Sequence, residues 1–271
     1  MRQENHSIAL PRNAGTLHVR DTGPVDAPVV YLSHSILSSH GMWAIQERHL
    51  AAHGWRVLNA DIRGHGDSLA HTVVQNMDDL VEDVIATLDA LDIATVHYVG
   101  LSLGGMIGFG LGIEHPGRLD SLCLCDARAD APEAVARPWD ERIQMAATAG
   151  SCSVLVMATM ERWFGKAFMD AHPAIIRQLA AIAAQTSLPG FIGAARAIQS
   201  LNYLPRVSAM TTRTTLIVGE QDGALPQTNQ ELASMISGAQ LEIIPDAGHL
   251  PNINHPIWFN RLLNQHLSQQ G

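Results

Sequence analysis

Cysteine is scarce in this chain: three residues of 271, Cys123, Cys125 and Cys152. Cys123 and Cys125 alternate with apolar residues in one apparent strand, so they share a face without forming a zinc-type spacing. A disulfide framework is thereby excluded, and buried thiols in a reducing, cytoplasmic setting are expected. Positive charge is also in short supply. Seventeen Lys and Arg stand against 26 Asp and Glu, a formal charge of −9, and no basic run occurs. That balance argues against a nucleic-acid surface. The opening Met1-Arg2-Gln3-Glu4-Asn5-His6 has no apolar signal core, and no stretch reaches membrane-spanning length. Fourteen histidines are present, yet none form a His-Glu-x-x-His pair, so surface or supporting histidines are expected rather than a metal centre. Internal repeats and low-complexity tracts are lacking.

What is there is a chain 46% hydrophobic and 16% charged, suited to a sizeable core. Strand-like runs at Thr16–Arg20, Val29–Ser33, Arg56–Ala60, Thr95–Val99, Leu119–Leu124, Thr215–Val218 and Leu241–Ile244 alternate with helical stretches. One such helix, over roughly Asp78–Leu91, carries Leu80, Val84, Leu88 and Leu91 on one stripe. This alternation predicts an α/β fold with a mostly parallel, eight-stranded sheet flanked by helices. The alternation breaks at 127–210, an alanine-rich helical segment punctuated by prolines. It is expected to be a helical cap inserted between two halves of the core, 1–126 and 211–271, over the carboxyl edge of the sheet. Its bulky groups, Trp139 and Trp163 among them, are divided between packing and a pocket.

Gly100-Leu101-Ser102-Leu103-Gly104 follows an apolar strand and opens a helix. A strand-to-helix turn this sharp needs small neighbours and holds the Ser102 hydroxyl out beside helix-start amides. A serine becomes a nucleophile when a base takes its proton, usually a histidine oriented by a carboxylate. After Thr215–Val218 comes Gly219-Glu220-Gln221-Asp222-Gly223, and after Leu241–Ile244 comes Asp246-Ala247-Gly248-His249-Leu250. Asp222 and His249 are the expected partners, in the order serine, acid, histidine. Glu220 and Asp126 compete for the acid position, while Asp246 is expected to stabilise its own turn. The oxyanion donors are expected to be the backbone N–H groups of Leu103 and of Ile36, the latter in the loop after Val29–Ser33.

With these motifs, the chain resembles the α/β-hydrolase fold family over nearly its whole length. The carriers are Asp61-Ile62-Arg63-Gly64-His65-Gly66-Asp67-Ser68, Gly100 to Gly108, Gly219 to Asp222, and Gly248-His249. Within the family it looks most like the 3-oxoadipate enol-lactonases, through Ser33 to Ser39, Met42-Trp43-Ala44-Ile45-Gln46, Glu161-Arg162-Trp163-Phe164 and Gly248 to Ile253. It differs from them at His34, Asp126-Ala127-Arg128 and Asn202-Tyr203. The resemblance implies serine hydrolysis of a small lactone with no metal or organic cofactor, and with a small ester or lactone as the binding partner. Carboxylesterase, cofactor-free perhydrolase, carbon–carbon hydrolase and ligand-sensing activities share the same motifs. Trp139, Trp163, Arg128, Leu37 and Leu250 are expected to contact substrate. A carboxylate-bearing lactone would want a cationic anchor, for which Arg128, Arg137, Arg142 and Arg162 are available.

Overall fold

The computed structural model describes residues 2–269. Positions 1, 270 and 271, the outer ends of the two expected core segments, lie outside the described residues. Nine strands form one sheet: β1 (Gln3–Ala9), β2 (Gly15–Thr22), β3 (Val29–Ser33), β4 (Arg56–Ala60), β5 (Leu69–Ala70), β6 (Val96–Leu101), β7 (Leu119–Cys125), β8 (Thr214–Gly219) and β9 (Gln240–Ile244). Eight of them lie on the hydrogen-bonded path β1-β2-β4-β3-β6-β7-β8-β9, and the two-residue β5 pairs with β2 as a ninth. β1 and β2 run antiparallel to their neighbours, whereas every pair from β4 to β9 is parallel.

The burial of each strand follows its composition. All six residues of β8 and all but one of β7 are buried, as continuous apolar strands covered on both faces should be. β2 alternates buried and half-buried residues along most of its length. β1 is mostly polar and exposed and is held to β2 through seven residue pairs. With no apolar face it leaves no signal in the sequence, and β5 is too short to leave one.

Helices α1 (Ala44–Ala52), α2 (Met77–Ala90) and α3 (Leu103–Glu114) belong to the first half of the core. The expected Asp78–Leu91 helix is α2, started by the Asn76 side chain accepting the Asp79 N–H, with Asp78 and Asp79 in the first turn. Between β7 and β8 lie α4 (Glu133–Ala136), α5 (Pro138–Ala149), α6 (Val156–Ala171), α7 (Pro173–Gln185) and α8 (Leu188–Gln199). The two ends of this segment are stitched together by the Asp130–Asn202 bridge and by the Tyr203 N–H on the Ala129 carbonyl at 2.7 Å. Helix α9 (Leu225–Met235), the short α10 (Pro251–Asn254) and α11 (Pro256–Ser268) complete the chain. Among the described residues, no helix is long and apolar enough to cross a membrane.

All three cysteines are buried free thiols. His34, His65, His249 and His266 are buried. Burial holds His65 and His266 down to about 3 and lowers His34. His18 and His40 direct their Nδ1 atoms at Asp61 Oδ2, 3.2 and 2.9 Å away. The same carboxylate accepts the backbone N–H groups of His40 and Asp67. Burial opposes ionisation of Asp61, but these bonds hold it well below the usual carboxylate range. The Asp61–Ser68 motif is thus a turn wound around one buried anion.

The turn from β6 into α3 is tightly packed against its neighbours. A Cβ on Gly104 would stand 2.3 Å from the Ser33 carbonyl oxygen, and one on Gly100 would stand 2.2 Å from the Gly104 carbonyl oxygen. Gly104→Ala is expected to destabilise the protein by about 1–3 kcal/mol, read as a lower urea midpoint. Gly117→Ala, with open space around its Cβ, should shift stability by less than about 0.5 kcal/mol.

Candidate active site

Ser102 has φ 56° and ψ −112°, a left-handed conformation that a non-glycine residue adopts only under constraint. The constraint is visible on both sides. Its N–H donates to the Cys125 carbonyl of β7 at 2.8 Å, and the Gly104 N–H donates to the His34 carbonyl after β3 at 3.0 Å. The His34 ring is fixed as well, with Nε2 accepting the Ile62 N–H at 2.9 Å and Nδ1 donating to the Ser35 carbonyl at 2.7 Å. Three adjacent strand ends are therefore locked around one hydroxyl.

The hydroxyl of Ser102 donates to His249 Nε2 at 2.9 Å, and His249 Nδ1 donates to Asp222 Oδ2 at 2.6 Å. All three residues are buried. The structure brings together the serine, histidine and acid read from the sequence, on the loops after β6, β9 and β8. Glu220, the nearest competitor in sequence, turns away and accepts the Asp246 N–H at 3.1 Å. Asp246 itself has φ 56°, and its Oδ1 accepts the Gln221 side-chain N–H at 3.4 Å. Asp126 is wholly buried beside the pair, and one carboxylate oxygen of Asp126, one of Asp222 and one ring nitrogen of His249 lie within 4.8 Å of one another.

Burial lowers the pKa of His249, opposed by the charge of Asp222 and reinforced by that of Arg162. Asp222 is pushed up by burial, but the charge and hydrogen bond of His249 leave it lowered overall. At neutral pH the imidazole is therefore uncharged with a free basic Nε2, and Asp222 is ionised. The N–H of Leu103, first residue of α3, and the N–H of Ile36 donate to no acceptor among the described residues. Leu37, with φ 56°, turns the chain directly after Ile36.

Two cavities of about 430 Å³ each adjoin these groups and share Ile36, Pro138, Trp139, Arg142 and Arg162 as walls. One opens on Ser102, His249 and Asp222, the other on Leu37, Met145 and Trp163. A separate surface hollow of about 480 Å³ at Trp258 and Arg261 contains none of the groups above.

Of the expected substrate contacts, Trp139 and Leu37 line this space. Trp163 lines one cavity but is itself buried. Its ring stacks on His249 at 6.4 Å, and its carbonyl accepts the His249 N–H at 2.8 Å. Two residues later Gly165, at φ 69° and ψ 159°, breaks α6. Leu250 is corrected: it is wholly buried and lines neither cavity, being packed into the core beside the His249 loop. Arg128 lines the first cavity, yet its guanidinium is already paired with Asp130 at 3.0 Å.

Arg142 and Arg162 form no ion pair among the described residues. Arg142 lies 4.6 Å over the Trp139 ring, and burial together with the Arg162 charge lowers its pKa. Glu141 acts on Arg142, and Arg162 on Asp222, through space, so the wall presents two guanidinium groups free to pair with an incoming anion. Sequence reasoning also missed Met106 and Ile198 on the wall. They sit in apolar helix patterns indistinguishable from core. The Trp163 carbonyl contact has no side-chain signal at all.

Comparison with known proteins agrees with this architecture. A family model described as alpha/beta hydrolase fold matches residues 28–256. The chain is 32% identical to 3-oxoadipate enol-lactonase 1 of Acinetobacter baylyi, covering 96% of this chain and 97% of that one. It is 28% identical to the putative carbamate hydrolase RutD of Variovorax paradoxus, covering 93% and 96%. Among solved structures, the enol-lactonase of Burkholderia xenovorans superposes with a TM-score of 0.90 at 30% identity, covering 98% of this chain and all of that one.

The protonation argument is open to direct measurement. The imidazole of His249 should titrate below the ordinary histidine value of 6.5 when followed by NMR in selectively labelled protein. A midpoint at or above 6.5 would contradict burial as the dominant influence.

Proposed function

The chain belongs to the α/β-hydrolase fold family, and from that premise we propose that it opens a small carboxylate-bearing lactone by a Ser102–His249–Asp222 acyl-enzyme mechanism. It is a hydrolase of ester or lactone bonds. The finer reading is carried by one observation: the hydrogen-bonded chain from Asp222 to the Ser102 hydroxyl ends in a cavity walled by two unpaired arginines. The helices of 127–210 act in this reading as the cap, since α5 and α6 supply those arginines and Trp139.

His249 Nε2 takes the Ser102 proton as Oγ attacks the lactone carbonyl. Negative charge develops on the carbonyl oxygen and is met by the N–H groups of Ile36 and Leu103, each such donor lowering the barrier by about 2.7–4 kcal/mol. Asp222 holds the Nδ1 proton in place and stabilises the imidazolium. Collapse of the intermediate breaks the ring C–O bond, and the departing oxygen takes the proton from His249. Water then attacks the acyl-enzyme and gives a proton to His249, which returns it to Ser102 Oγ. Since acid and leaving group were joined in the ring, one opened product leaves. This chemistry requires no metal or organic cofactor.

Cleavage of a carbamate is a second reading, favoured by the full-length similarity to the putative carbamate hydrolases. The same nucleophile, base and oxyanion donors would serve it, with nitrogen in place of oxygen as the leaving atom. A panel containing 3-oxoadipate enol-lactone, simple lactones, short aryl esters, peracid-forming mixtures of acetate and hydrogen peroxide, and carbamate separates these activities. Lactone turnover should dominate, and Ser102→Ala should lower kcat at least about 10³-fold. Carbamate or uncharged ester turnover in its place would move the assignment. Binding without turnover, equal in protein and variant, would make it a ligand sensor.

The anion site has its own test. Replacing Arg142 and Arg162 together by Ala should raise KM for the carboxylate-bearing lactone roughly tenfold or more. The KM for an uncharged aryl ester should change less than about twofold. Equal effects on both substrates would assign the arginines to packing.

A further inference from the structure

We infer that Asp126 stands beside Asp222 as a neutral carboxylic acid, its Oδ2 donating a hydrogen bond to the Asp222 carboxylate, and so acts as a positioning residue for the chain that ends at Ser102. The inference rests on the serine-hydrolase reading for its purpose, though not for its geometry.

Asp126 immediately follows β7 and is wholly buried, with φ 45°. Its N–H donates to the Ile217 carbonyl of β8 at 2.9 Å, and its Oδ1 accepts the Gly219 N–H at 2.9 Å. Gly219 ends β8 and begins the loop that carries Asp222, so Asp126 clamps the base of that loop. Its Oδ2 is a different matter, a buried oxygen with no hydrogen-bond partner. An ionised Asp126 would place an unsatisfied anionic oxygen in the protein interior, next to the ionised Asp222. Both the desolvation and the like charge oppose that state. A proton on Oδ2 removes the second charge and turns the orphan acceptor into a donor. A carboxylate oxygen of Asp222 lies within 4.8 Å of one of Asp126 and is placed to take that donor.

The groups around the pair decide which acid keeps the proton. Asp222 faces the hydrogen bond and positive character of His249 and the charge of Arg162, which leave it lowered. Asp126 faces the Asp222 charge, buried Cys125, the Arg162 charge and only one backbone N–H; Arg162 and that N–H lower it, but burial first, then Asp222, push it well above the usual carboxylate range. Cys125 is held neutral by burial and adds no charge. Two buried carboxyl groups thus share one negative charge, as closely apposed pairs must. The Asp222 carboxylate is then gripped from two sides, by the imidazole and by the Asp126 hydroxyl. Its orientation is fixed toward His249 Nδ1.

The decisive measurement is infrared spectroscopy of the full-length protein near pH 7, carrying ¹³C-labelled aspartate. A protonated carboxyl C=O stretch, shifted by the label and lost in Asp126→Asn, is expected. Its absence in the wild-type protein overturns the proposal, whether or not any substrate is turned over, so failure here is distinct from failure of the hydrolase reading. Kinetics add a readout that a packing role would not move. Asp126→Ala should lower kcat roughly tenfold, the scale of a lost hydrogen bond to a charged group, with KM little changed. Asp126→Asn, whose amide can still donate, should recover most of that loss. The acid limb of kcat/KM should keep its midpoint in Asp126→Asn, since a neutral group replaces a neutral group. A limb displaced to lower pH would mean that a negative charge had been removed from beside His249, and would refute a neutral Asp126. Should the variants fail to fold by circular dichroism, the labelled wild-type spectrum alone decides.

Discussion

Between β6 and α3 the chain reverses within a single residue, and the Gly104 N–H reaches the His34 carbonyl across 3.0 Å. That bond ties the serine turn to the loop carrying Ile36, while the Ser102 N–H ties it to β7. The left-handed backbone of Ser102 persists because both neighbours hold it. Without this constraint the hydroxyl, the two amides and the imidazole would each lie on an independent loop. With it they form one rigid frame, in which positions are set by the strand spacing of the parallel sheet rather than by loop conformation. The crowding at Gly100 and Gly104 is the steric counterpart of that rigidity.

The second organising principle is the handling of charge in a dry interior. Asp61 is buried and fully ionised because four N–H groups converge on it. Arg63 and Asp83, both nearly inaccessible, neutralise each other. Asp222 stays ionised through the hydrogen bond it accepts from His249 Nδ1. Asp126 has only one backbone donor and a neighbouring anion, and a proton takes the place of the missing partner. Each solution follows from counting donors around the carboxylate. At the cavity Arg142 and Arg162 stand without an ion pair among the described residues, with Glu141 and Asp222 acting on them only through space.

Much of this was legible in the sequence because apolar strands and catalytic loops leave separate local signatures. Val96–Leu101 and Thr214–Gly219 are largely apolar strands, with Ser102 directly after the first and Asp222 three residues after the second, while His249 stands five residues beyond β9. Strand order makes such loop positions neighbours even though they are up to 147 residues apart. What escaped was of two kinds. β1 has no apolar face, since it is held by backbone pairing to β2. The pocket walls were harder, because a side chain on an alanine-rich helix can face core or cavity with the same periodicity. Leu250, directly before α10, went to the core because an apolar residue beside His249 reads the same in sequence whether it packs or lines a pocket. Arg128 was the natural anchor by proximity to β7, but Asp130 two residues on had already claimed it. Arg142 and Arg162 lie twenty residues apart on different helices, and only the folded arrangement of α5 against α6 shows them sharing a wall.

On the proposed reading, the arginine pair also sets the range over which an anion can be recognised. The molecule carries a formal charge of −9, so within about a Debye length of its surface, roughly 8 Å at physiological ionic strength, a carboxylate approaching from solution meets a repelling field. Only inside the mouth does the sign reverse. Capture of such a ligand is therefore a short-range affair, won after partial desolvation and not by long-distance steering. Added salt acts on it in two opposed ways, easing the approach while loosening the grip. A neutral molecule of the same shape would feel neither effect. Discrimination between the two is thereby built into the difference between the charge of the whole surface and the charge of a few ångströms of cavity wall.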